Sequence, residues 1–111
     1  KIRYWLKGNN IFFLSQYEFS DLVGINNGLL RFDFAIFKDE NKKQLEYLIE
    51  YDGKQHFEPI DYFGGERQFK IQQYNDKLKN EYCKLHNIKL LRIPYWKFDN
   101  IEMILNKRIG V

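Results

Sequence analysis

Two segments of this chain alternate between apolar and polar positions. In Leu29 to Phe37, LLRFDFAIF, the aromatic and aliphatic Phe32, Phe34 and Ile36 alternate with Arg31, Asp33 and Ala35. In Leu45 to Asp52, LEYLIEYD, Glu50 and Asp52 fall on one face and Ile49 and Tyr51 on the other. A two-residue period is that of a strand, whose side chains point alternately to either side. The polar turn Lys38 to Lys43 between the two segments predicts an antiparallel hairpin. Upstream, Ile2 to Leu6 reads as the end of an amphipathic helix that begins before Lys1 and is closed by Gly8-Asn9-Asn10. Ile11 to Phe19 reads as a strand and Asp21 to Gly28 as a loop. Downstream, Pro59 and Gly64-Gly65 mark a loop long enough to be functional. From Glu66 to about Leu85, Ile71, Tyr74, Leu78, Tyr82 and Leu85 recur at helical intervals, with Asn87 as C-cap. Ile88 to Ile93 is a short strand stopped by Pro94, and Phe98 to about Lys107 a helix with Asp99 as N-cap. The predicted order is α-β-β-β-α-β-α, an α/β (mixed α+β) domain whose central mixed sheet is flanked by helices.

Composition narrows the class. At 111 residues the chain makes one domain with a real core, and 44% hydrophobic with 18% aromatic residues excludes disorder. The net charge of +3 favours a polyanionic partner only weakly. Its distribution says more: the acids gather between Asp33 and Asp52, while Lys70, Lys77, Lys79, Lys84, Lys89, Arg92 and Lys97 spread through the C-terminal half. A lone cysteine, Cys83, excludes an internal disulfide and a cysteine-based zinc site. No apolar run approaches membrane-spanning length and no signal peptide is visible, so an intracellular protein without a membrane partner is expected.

The chemistry sits in LIEYDGKQHF, Leu48 to Phe57, together with RFDF, Arg31 to Phe34. Three carboxylates and a histidine lie in apolar, β-prone sequence, where a charge is costly unless something compensates it. Two acidic strand positions that converge make a hard oxygen site for a divalent cation, the chemistry of metal-dependent phosphodiester cleavage. The bland readings stand beside this one. Asp33 alone could be a structural carboxylate paired with Arg31 or Arg92, and His56 beside Phe57 a satisfied loop histidine. Asp76 lies almost opposite the Ile71–Leu78–Leu85 stripe, where an ordinary solvated Asp would lie. Trp5, Trp96 and the tyrosines read as core or rim, although Tyr62 and Phe63 in the long loop could reach DNA.

Asp33 on one strand, followed by Glu50-Tyr51-Asp52 at the end of the next, resembles the core of the PD-(D/E)XK nucleases. The fuller series, Asp33, IEYDGKQH, Asp76 with Lys79, then LLRIPYW, resembles the branch containing the very-short-patch-repair (Vsr) mismatch endonucleases. Within it the chain is most similar to the catalytic domain of phage homing endonucleases of the EDxHD group. The resemblance implies a restriction-endonuclease-like, Vsr-like fold over residues 1–111, a single endonuclease catalytic domain that is a fragment of a longer chain. It implies Mg²⁺ or Mn²⁺ as cofactor, held by Asp33, Glu50 and the Tyr51 main-chain carbonyl. His56 would be the proton-transfer residue, Asp76 would orient it, and Asp52 would orient it too or bind a second metal. Double-stranded DNA would be the partner, with Lys54, Lys77 and Lys79 on phosphates, and a homodimer or a further recognition domain would complete targeting. If phage-encoded, the protein would work in the host bacterial cytoplasm. Two departures stand out. Asp52 replaces the lysine of the acidic-x-Lys pattern, as in Vsr-like enzymes, which use histidine. The Glu that opens the EDxHD signature would lie upstream of Lys1, since Glu18 falls in a strand. Two other classes remain open: a catalytically silent nucleic-acid-binding module that keeps the nuclease fold, and a phosphoesterase acting on small molecules.

Overall fold

A computed structural model describes residues 1–110. The elements run α1 (Ile2–Gly8), β1 (Phe12–Val23), β2 (Leu29–Phe37), β3 (Leu45–Asp52), α2 (Gly65–Leu85), β4 (Lys89–Pro94) and α3 (Ile101–Arg108). Single 3₁₀ turns at Lys54–His56 and Asp61–Phe63 occupy the long loop, and a longer one at Tyr95–Asn100 leads into α3. The four strands lie in sequence order, with β1–β2 and β2–β3 antiparallel and β3–β4 parallel. A parallel pair cannot be joined by a tight turn. The long loop and α2 make that crossover.

Each face of the sheet has its own core. On one side, Ile36, Ile49, Leu91 and Ile93 pack against Ile2, Trp5 and Leu6 of α1 and Ile101 and Leu105 of α3. On the other, Phe32, Ala35, Phe37 and Leu48 pack with Leu22 and with Cys83 of α2. Leu48 and Ile49 are fully buried on opposite faces, the signature of an inner strand covered on both sides.

The ends or caps of three elements differ from those the pattern predicts. β1 continues to Val23, and the turn is confined to the following residues, where the Gly24 amide donates to the Gly28 carbonyl at 2.8 Å. α2 ends at Leu85 as expected, and Asn87 follows its cap residue His86 in the left-handed conformation (φ 55°). Asp99 is not an N-cap: α3 starts at Ile101 after the 3₁₀ segment, and Asn100 stands at the cap position with no side-chain hydrogen bond.

Only part of the stripe expected on α2 meets the sheet. Leu78 and Tyr82 are half-buried, but Tyr74 is 49% and Leu85 80% exposed. The deeply buried residues of the helix are Lys79 and Cys83. With Gln72 and Asp76 they form a line at helical spacing, turned toward the end of β3.

β2 likewise departs from strict alternation. Phe32, Ala35 and Phe37 lie on the α2 side, while Phe34 and Ile36 pack on the α1/α3 side. The phase breaks next to Asp33. Antiparallel pairing with β3 stops at Phe34 opposite Ile49, and beyond it the strands are joined by side chains.

Candidate active site

Asp33 and Glu50 make that junction. The Asp33 amide donates to Glu50 Oε1 at 2.8 Å, and the Tyr51 amide donates to Asp33 Oδ2 at 2.7 Å. Two backbone N–H groups at the separating strand ends are thus satisfied by carboxylates, as buried main-chain donors must be satisfied by something. Asp33 pairs with neither arginine considered for it. Arg31 instead binds the half-exposed Glu18 at 3.0 Å, and Arg92 binds elsewhere in the site.

Glu50 is 3% exposed, and its second oxygen accepts from Lys79 Nζ at 2.8 Å. Burial raises the Glu50 pKa, opposed by the Lys79 charge and hydrogen bond; the neighbouring Asp33 charge raises it further. Lys79 is 7% exposed, with its ammonium also 5.2 Å from the centre of the Phe32 ring. Lys79 therefore does not serve as the free phosphate contact expected from sequence: its charge is spent inside the site. Lys54 and Lys77 are exposed, Lys54 lying 3.4 Å from Glu58.

Asp52 is 5% exposed and closes the same face of β3. Its Oδ1 accepts from Arg92 at 2.8 Å and lies 3.5 Å from His56 Nδ1. Burial raises its pKa against the charge and hydrogen bond of Arg92. Arg92 is the residue that sequence reasoning underrated. Its Nε donates to Asn80 Oδ1 at 2.8 Å, one terminal nitrogen reaches Asp52, and the other reaches the Asp76 carbonyl at 3.3 Å and its carboxylate at 3.7 Å. The signal was present in KLLRIP: Arg92 has the opposite phase to the buried Leu91 and Ile93, and parallel register sets it beside Glu50.

His56 ends the 3₁₀ turn after β3, and its Nδ1 lies 2.8 Å from Asp76 Oδ2. An ionised carboxylate only accepts, so this contact puts the proton on Nδ1 and leaves Nε2 to exchange one. Burial lowers the His56 pKa, but the Asp76 hydrogen bond and charge, with the charges of Asp52 and Glu50, outweigh it and the net shift is upward. For Asp76 burial raises the pKa, while the hydrogen bond and charge of His56 and the charge of Arg92 bring it below the ordinary value. Gln72 Nε2 also donates to Asp76, at 3.2 Å. Asp76 is therefore no solvated surface acid; it faces the sheet along the Gln72–Lys79–Cys83 line.

Among the described residues no three Asp, Glu, His or Cys side chains converge into a ready-made metal cage, and no buried side-chain nitrogen or oxygen lacks a partner. The donor set does suit a hard cation that retains water. Asp33 and Glu50 bring carboxylates to neighbouring strand ends, Asp33 is only half-buried, and each oxygen has a second lone pair beyond its present hydrogen bond.

No protein-family model matches the chain, and no solved structure does either. Three viral proteins are similar to it. They are uncharacterized protein 307L of Invertebrate iridescent virus 6 (35% identical over 76 residues, 68% of this chain and 39% of that protein), uncharacterized protein 094L of Frog virus 3, isolate Goorha (37% over 75 residues, 66% and 48%), and uncharacterized protein 033L of Invertebrate iridescent virus 3 (38% over 63 residues, 55% and 32%). The chain spans less than half the length of each of these curated relatives.

Proposed function

We propose that this domain is a metal-dependent DNA endonuclease module of the Vsr-like branch of the PD-(D/E)XK nucleases. The observation that carries the reading is the gathering of Asp33 of β2, Glu50 of β3, Lys79 of α2 and the His56–Asp76 pair around the end of β3. Asp33, Glu50 and the Tyr51 carbonyl would hold Mg²⁺ or Mn²⁺, and such an ion when bound polarises a phosphoryl oxygen and lowers the pKa of a water. The rest is the work of the chain. His56, held by Asp76 through Nδ1, takes a proton from the attacking water or gives one to the leaving oxygen through Nε2. Lys79 supplies from a helix the cation that Asp52 displaces from the acidic-x-Lys position, which accounts for an ammonium buried against Glu50. Arg92 balances Asp52 and Asp76 and keeps His56 paired with the nearer of its two carboxylates. Lys54 and Lys77 meet DNA phosphates.

No helix among the described residues is long and apolar enough to cross a membrane. The relatives are viral proteins, and with a DNA substrate an intracellular place of action follows; they come from invertebrate and frog viruses and lend no support to a phage source. One observation favours a second reading. Lys79 and Arg92 already neutralise Glu50, Asp52 and Asp76 without a cation, as they would in a silent nucleic-acid-binding module. Incubating supercoiled plasmid with the domain in Mg²⁺, with and without EDTA, separates the two. Nicking or linearisation that EDTA stops, and that Asp33→Asn and His56→Ala abolish or sharply slow, is the expected result. DNA binding without any cleavage in Mg²⁺ or Mn²⁺ would overturn the nuclease reading.

A further inference from the structure

Between the long loop and the start of α2 lies a cavity of about 270 Å³ that no residue role above uses. Gln55, Glu58, Gln68 and Gln72 supply its polar lining, and Phe63 and Phe69 are the aromatic part of its wall. We propose that this cavity receives one unstacked nucleobase of the bound nucleic acid, next to the phosphate that is cleaved. The inference rests on the nucleic-acid reading above and names the part of the substrate held there.

The lining chooses the ligand class. It contains no cation, so a phosphate or carboxylate has no counter-charge inside it. Three primary amides each offer donors and an acceptor in one plane, matching the mixed edge of a heterocyclic base. Phe63 and Phe69 offer ring surface, and stacking on an aromatic side chain tolerates any base because every base has a π-face. Glu58 adds a bias: its carboxylate only accepts, so an exocyclic amino group meets it well, whereas the one N–H on the edge of uracil or thymine is flanked by two carbonyl oxygens that repel it. Its present ion pair with Lys54, at 3.4 Å between two exposed side chains, is of the kind that contributes little and yields readily.

Position ties the cavity to the chemistry. Gln55 immediately precedes His56, and Gln72 donates to the Asp76 carboxylate that holds His56. A base seated there touches the residues that orient the proton-transfer pair. A stacked, paired base cannot enter; the occupant is a base at a strand end, in a mismatch, or extruded from the helix, for which unstacking is least opposed.

Chemical-shift mapping of the ¹⁵N-labelled chain with cytidine and uridine tests this, because neither nucleoside carries a phosphate for the lysines to hold. The expected result is perturbation centred on the amides of Gln55, Gln68, Phe69 and Gln72, stronger for cytidine. Phe63→Ala should weaken the binding by about fivefold or more, the lower end of what one base–aromatic stack is worth. Glu58→Gln should erase the preference for cytidine. Phe63 is half-exposed and Glu58 exposed, so neither change threatens the fold. Plasmid cleavage in Mg²⁺ with no nucleoside shifts at these amides would overturn the pocket and leave the nuclease reading standing. Shifts at these amides without cleavage would support the pocket and sink the nuclease. Equal affinity in Phe63→Ala would also overturn the pocket.

Discussion

Lys79→Met isolates the most deeply buried ion pair in the site. In the parent, Lys79 Nζ and Glu50 Oε2 are 2.8 Å apart, an attraction of about 6 kcal/mol at an effective dielectric constant near 20. Desolvating both charges offsets most of that, so the intact pair contributes little net stability. Removing the ammonium alone leaves the desolvation of a carboxylate that is 3% exposed, with Arg92 at 4.0 Å as its nearest other cation. The expected loss at neutral pH is about 3–5 kcal/mol, the usual consequence of breaking a buried pair from one side. Against the ~5–15 kcal/mol that holds a domain of this size, that is a large fraction. The loss has a pH signature. Burial and Asp33 already raise the Glu50 pKa above 4.5, and without Lys79 the rise is greater. A carboxyl whose folded pKa lies above its unfolded one adds stability that is fully present below the unfolded value and disappears as pH rises through the folded value. The deficit of Lys79→Met should therefore be widest near pH 7.5 and shrink toward pH 4.5. Urea unfolding followed by fluorescence of the buried Trp5, at both pH values, measures it. Adding Glu50→Gln to the variant should restore much of the loss, since the amide oxygen still accepts from the Asp33 N–H. A deficit below about 1 kcal/mol at both pH values would mean the pair is screened like a surface salt bridge, and would refute the reasoning.

Asp33→Asn keeps an oxygen for the Tyr51 amide but removes the charge; stability should stay within about 1 kcal/mol while metal-dependent plasmid cleavage is lost. His56→Ala should lower single-turnover cleavage by about 10²–10⁴ with little change in DNA affinity, measured on a labelled duplex with Ca²⁺ in place of Mg²⁺. Asp76→Asn leaves an amide oxygen for His56 Nδ1 but removes the charge that helps hold the His56 pKa up, so an NMR titration should find His56 titrating lower than in the parent. In the parent, the stability His56 contributes is complete below pH 6.5 and fades as pH rises through its raised pKa; in Asp76→Asn the upper edge of that window should move down while the lower edge stays. Phosphate contacts limited to exposed lysines such as Lys54 and Lys77 predict weak duplex binding that falls steeply with salt; tight, salt-insensitive binding in a salt series would contradict that.

Much of the architecture was legible because it follows from local patterns. The β2–β3 hairpin was announced by two alternating segments around a polar turn, α2 by its length and helical spacing, and the stop of β4 by Pro94. Reading failed where the site intrudes. On α2 the apolar residues suggested one inward face, yet Tyr74 and Leu85 are exposed and Asp76 and Lys79 turn to the sheet. A hydrophobicity pattern assumes that buried positions are apolar. Here Glu50, Asp52 and Arg92 of the sheet, with His56 of the turn after β3, lie beneath the helix, so the complementary inward residues are charged. The same conflict hides in β2, where the alternation through Phe32, Phe34 and Ile36 looked unbroken, but the phase shifts beside Asp33. Asp33 and Glu50 were visible as acids out of place. That their carboxylates bind each other's strand, rather than an arginine, depends on strand separation and has no sequence signal.

The Asp33–Glu50 junction makes the candidate reaction centre a reporter on itself. The amide hydrogens of Asp33 and Tyr51 end on carboxylates, where a ladder would end them on carbonyls. A ladder bond is indifferent to solution chemistry, whereas a carboxylate acceptor weakens when it is protonated or shares its electrons with a cation. Solvent exchange at these two amides should therefore track the ionic state of the acids, in acid or on addition of a divalent ion, while the Leu48 and Ile49 amides deeper in β3 stay protected. Occupancy of the centre becomes readable one residue at a time in resting protein, before any substrate is added.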